Sequence, residues 1–216
     1  MEAISNLILA LVTWTCALAL LRVPGVIRAW HMTFWFAGGG ALAGAAYHGL
    51  FHSTAGWVAV GVLVVIAISY LLIGSAEEIL SPRAVRIVMG VRAAGIAAYG
   101  VAVVRGHTEL LVLVMAESVT MACILGLWIY AAAIHHRMAT GMILALLAHG
   151  LAGIAFVLPD SVTTHIGLNP TSLSHLAQIP GILVLYAAVV HGAGTQRETG
   201  WAARWRESKD RWAEDI

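Results

Sequence analysis

The sequence predicts an all-α membrane protein, a polytopic bundle of seven transmembrane helices followed by an amphipathic helix on the membrane surface. Three observations predict it. The 216 residues are 60% hydrophobic and 11% charged, with a mean hydropathy of +0.87, more apolar surface than a water-soluble domain needs. Several apolar runs reach the roughly 20 residues that cross a bilayer. The arginines, finally, collect on alternate connections between those runs, the bias that orients a membrane protein.

Hydropathy places the spans at about 5–22, 30–53, 56–76, 84–104, 108–133, 139–158 and 171–193. The N-terminal residues lack the basic segment of a signal peptide, so the first run is expected to be retained as a span. Arg22 and Arg28 lie between spans one and two, Arg83 and Arg86 between three and four, and Arg137 between five and six, with a basic tail. The opposite side carries only Arg105. The N-terminus is therefore expected outside and the C-terminus in the cytoplasm, with a bacterial inner membrane as the expected location.

In span two, Gly40 and Gly44 form a small-xxx-small pair, as do Ala37 and Ala41, which reads as close helix packing. Cys16 and Cys123 fall inside spans, which argues against a structural disulfide. The loop from Pro159 to Pro170 carries Asp160 and His165 and reads as a lid or a plain polar connection. In span seven, Pro180 removes a backbone donor, frees the carbonyl of Leu176 and kinks the helix beside His175. Residues 1–194 thus form the membrane domain, and 195–216 a cytoplasmic tail. Trp201, Trp205 and Trp212 share one side of that tail, flanked by Arg204, Arg206, Lys209 and Arg211, the pattern of an interfacial helix.

Composition also excludes function classes. A net charge of +1 gives no clustered basic surface for nucleic acid. Lys209 is the only lysine and lies in the tail, so a retinal Schiff base within the bundle is excluded. The expected partners are membrane lipids and a small-molecule or lipid ligand.

Ionisable side chains inside a span are costly and therefore candidate functional residues. His48 and His52, four residues apart in the last two turns of span two, share one helix face. His175 opens span seven, with Gln178 three residues on to orient it or a ligand. At about 1.5 Å per residue, Glu117 lies roughly 12 Å below the outer surface and His149 at a similar depth. A funnel results, with histidines at the mouth and Glu117 and His149 beneath. Neutral imidazole is the commonest zinc ligand, and a catalytic zinc needs three protein ligands and an open position. His48, His175 and one of His52, His149 or Glu117 would supply them. Glu117 is also the natural base for a metal-bound water. Its alternative is a structural ion pair with Arg92, the only arginine near mid-membrane.

At these stretches the chain resembles the superfamily of alkaline ceramidases and progestin/adiponectin-type receptors, seven-span intramembrane zinc hydrolases. In that family span two ends in Ser-x-x-x-His and span seven begins with His-x-x-x-His. Tyr47-His48 with His52-Ser53 is similar to the first motif, and His175 matches the first histidine of the second. Gly44 stands in place of the family's serine and Ile179 in place of its second histidine. The resemblance implies a zinc-dependent hydrolase of a lipid amide or ester.

Two other readings use the same residues. A b-type cytochrome would hold haem between His48 and His175 and between His31 and His191, whose separations along their helices are 17 and 16 residues. A transporter or receptor would use the polar outward-facing pocket to bind a small molecule without chemistry.

Overall fold

A computed structural model of the chain describes residues 1–155, 158–163 and 167–195. The tail expected as an amphipathic helix lies outside the described residues from residue 196 onward, as does His165. Among the described residues eight helices follow in order: α1 (Glu2–Leu20), α2 (Arg28–Gly49), α3 (Thr54–Ile79), α4 (Pro82–Val104), α5 (Leu110–Ala133), α6 (Ala139–Ala155), the short α7 (Asp160–Thr163) and α8 (Pro170–Thr195). Five of them, α1, α3, α4, α5 and α8, are long and apolar enough to cross a membrane; α6, at 17 residues, is a shorter apolar helix. The bundle is thus all-helical with the character of an integral membrane protein. Six helices close a ring in the order α1, α2, α3, α5, α6 and α8, each packed on the next and α8 returning to α1. Helix α4 stands outside this ring against α3 and α5.

Local chemistry sets several boundaries. Ser53 caps α3 by accepting a hydrogen bond from the Gly56 amide at 3.1 Å, which satisfies one orphan donor of the first turn. Ser81 caps α4 in the same way, with Pro82 in the first turn where its missing N–H costs nothing. Helix α2 stops at Gly49, and Leu50 already leaves helical geometry. This corrects the expectation that span two runs to residue 53. Four residues after His48 the chain is no longer helical, so His52 does not sit one turn above it.

The two ends of the ring differ. At the end bearing Leu20, Trp30, Phe34, Trp128, Met142 and Val189, large side chains are fully buried and fill the interior. Close approach is permitted there by Gly74, whose added Cβ would lie 3.1 Å from the Trp30 ring. The end bearing Glu2, His48 and His175 instead encloses a cavity.

Candidate functional site

The cavity occupies the middle of the helix ring and has a volume of about 720 Å³. All six ring helices line it. Its deeper wall is apolar, with Leu9, Val64, Ile68, Leu71, Leu146 and Leu185. Its polar end carries Glu2, Asn6, Tyr47, His48, His175 and Gln178.

The polar end is a hydrogen-bonded cluster built around Glu2. One carboxylate oxygen lies 2.7 Å from His48 Nδ1, and the other accepts from Asn169 Nδ2 at 2.7 Å. Asn169 in turn accepts from the Ser172 amide through its side-chain oxygen at 2.8 Å, capping α8. Ser5 Oγ donates to the Glu2 carbonyl at 2.9 Å and lies 3.2 Å from His175 Nδ1. Residues from α1, α2 and α8 are thereby held to one another. Gly44 belongs to the same construction, because a Cβ there would meet Asn6 Oδ1 at 2.9 Å. The glycine that departs from the resembled family's serine is thus what admits Asn6 between α1 and α2.

His149 lines the same cavity from α6. Its Nδ1 is 2.8 Å from the Ala145 carbonyl one turn back, and its ring packs against Gly181, where a Cβ would collide with it. Gly181 follows Pro180 inside α8. His52 is exposed beyond the end of α2 and lies outside the cavity lining, its ring 5.8 Å from that of Tyr47.

Glu117 is placed elsewhere. It lines a second cavity of about 760 Å³ between α4 and α5, not the ring interior. The expected second layer of Glu117 with His149 is therefore not formed, since they line different cavities. Instead Glu117 makes the ion pair with Arg92, both carboxylate oxygens 2.9 Å from one guanidinium nitrogen. Arg92 Nε donates to Ser69 Oγ at 2.8 Å, Nη1 to Thr120 Oγ1 at 2.7 Å, and Nη2 also to the Val65 carbonyl at 3.0 Å. Arg92 is the only buried residue of α4. This network fastens α4 to α3 and α5, and Arg92 and Glu117 are not in contact with the His48–His175 cluster.

The metal-ligand set suggested by His48, His52, His149 and His175 is not assembled. Among the described residues no group of three His, Cys, Asp or Glu side chains comes together as metal ligands. His48 and His175 approach Glu2 and Ser5 rather than converging with a third ligand, so the residues present do not fit a catalytic zinc.

The match to a family model spans residues 1–193. The chain belongs to a family of unknown function, DUF6962. No curated protein and no solved structure matches it. The family match covers five ring helices whole and α8 to residue 193, and thus every residue of the cluster and of the Arg92–Glu117 network.

Sequence reasoning missed Glu2, Ser5, Asn6 and Asn169. A signal was present: Glu2, Ser5 and Asn6 are polar at spacings of three and four in an otherwise apolar helix, one polar face at its start. Asn169 carried none, since a polar residue before a helix is ordinary.

Proposed function

We propose that the chain is a seven-span membrane protein, with α2 and α6 completing the set of spans, that binds an amphipathic small molecule in the helix ring as a receptor or transporter. The single supporting observation is the cavity itself, with a hydrogen-bonding cluster at one end and an apolar wall behind it. Ligand pockets are typically a few hundred to about 1,000 Å³, mostly apolar, with a few placed polar groups. A polar head would sit by Glu2, His48 and His175, and an apolar tail would lie along Leu9, Val64 and Ile68. By the arginine bias the polar end faces outward. The zinc hydrolase reading needs a third metal ligand beside His48 and His175, and no such group of three forms among the described residues.

The test is occupancy. Small molecules extracted from protein purified from its native membrane are compared by mass spectrometry with those from Val64→Trp, whose indole obstructs the apolar part of the cavity. A species enriched in the wild type and lost from a folded Val64→Trp protein supports the proposal. Identical extracts contradict it.

A further inference from the structure

The chemistry of the polar end restricts which head group fits, given that the ring cavity is a ligand site as proposed above. Ser5 Oγ has one proton, and it is given to the Glu2 carbonyl. The 3.2 Å contact between Ser5 Oγ and His175 Nδ1 must then have the imidazole as donor. The Ala145 carbonyl can only accept, so His149 Nδ1 also carries its proton. The Glu2 carboxylate fixes the same tautomer in His48. Three imidazoles from three helices thus have their Nδ1–H groups committed to oxygens of the protein. A neutral imidazole held in this way by Nδ1, as in His149 and His175, presents Nε2 as an acceptor, whereas His48 is paired with the Glu2 carboxylate; all three rings line one cavity. This arrangement favours a donor in the ligand.

Charge points the same way. Among the described lining residues no Lys or Arg occurs, whereas Glu2 and Glu109 both line the cavity. Each Glu2 oxygen has one partner in the cluster and keeps a second lone pair. Tyr47 and Trp57, whose rings lie 5.6 Å apart, add aromatic faces at the same end, and such faces attract cations. A carboxylate or phosphate would meet two like charges and a row of acceptors.

We propose that the ring cavity selects an amphiphile with a cationic, donor-bearing head, a protonated primary amine on an apolar chain. Its N–H groups would be shared between Glu2 and the imidazole acceptors, and its chain would occupy the apolar depth.

The experiment is calorimetric titration of the full chain in phosphatidylcholine nanodiscs with octylamine, octanol and octanoate, empty nanodiscs correcting for partition into lipid. The expected result is saturable binding of octylamine about tenfold or more tighter than octanoate. Glu2→Gln should weaken octylamine about tenfold while leaving octanol within about twofold. Glu109→Gln, at the exposed rim and outside the hydrogen-bonded cluster, should weaken octylamine to a smaller degree and carries little risk to folding. Octanoate binding as tightly as octylamine, or octylamine binding unchanged in both variants, overturns the head-group assignment alone. Absence of saturable binding by all three probes overturns the pocket reading with it.

Discussion

Two polar sites lie within the apolar bundle, and they are built oppositely. Between α3, α4 and α5, Arg92 spends its donors on Ser69, Thr120, Val65 and Glu117. Charge is cancelled by charge, and the group that would be most costly in a membrane is satisfied within the protein. In the ring, the protein engages the Nδ1 side of His48, His149 and His175, and all three line the cavity. The first site is closed on itself and serves structure. The second opens onto a cavity. An ionisable residue in a span is therefore informative only once its partners are counted.

The largest expected effect belongs to the closed site. Arg92→Met should destabilise the bundle by about 3–5 kcal/mol, because Glu117 is left buried and unpaired. Arg92→Met/Glu117→Leu should regain most of that loss, since replacing both members of a buried pair is often close to neutral. Reversible unfolding in mixed micelles measures both; a double variant as unstable as the single one would remove the ion pair as the cause.

Next comes Gly181→Ala. Its Cβ would collide with the His149 ring, and overpacking of this kind costs about 1–3 kcal/mol. Denaturant midpoints and probe binding should both fall, because His149 is displaced from the cavity. A stable variant with unchanged binding would show that His149 is not part of the site.

Ser5→Ala should cost about 1 kcal/mol through the lost hydrogen bond to His175. Its effect on probe affinity should exceed its effect on stability, because the His175 ring loses the acceptor that fixes its tautomer. Equal binding by the variant would separate Ser5 from recognition.

The smallest effect concerns acid stability. His136, in the turn between α5 and α6, packs edge-on to Trp128. Burial first, and the neighbouring Arg137 second, lower its pKa below the ordinary 6.5. The unfolded chain then takes up the proton first as pH falls through about 6.5, and folding stability is lost on acidification. His136→Gln should flatten that part of the stability-against-pH curve, and a curve identical to the wild type would assign the loss to other groups.

Much of this architecture was legible in the sequence. Spans one, three, four, five and seven follow from length and apolarity, and the Arg92–Glu117 pair from two lone charges on adjacent helices. His48 and His175 both line the ring cavity, but each is held by α1, His48 by Glu2 and His175 by Ser5. The sequence did not show where α2 ends. Hydropathy carries straight through Leu50 and Phe51, whereas the backbone turns at Gly49, and His52 leaves the site with it. Nor did depth reveal direction: Glu117 and His149 were placed at similar heights, but rotation about α5 turns Glu117 to α4. Glu2 was hidden for a different reason, because a carboxylate next to the N-terminus reads as solvated until a partner 46 residues on is brought to it.

The most direct test of the division between the two sites is saturable binding of the eight-carbon probe set to Val64→Trp and to Arg92→Met/Glu117→Leu, side by side with the wild type. Binding should weaken about tenfold or more in the first, where an indole obstructs the ring cavity, and persist in the second, where only the closed network is removed. Binding retained by Val64→Trp and lost from a folded Arg92→Met/Glu117→Leu protein would place the ligand between α4 and α5 and contradict the account.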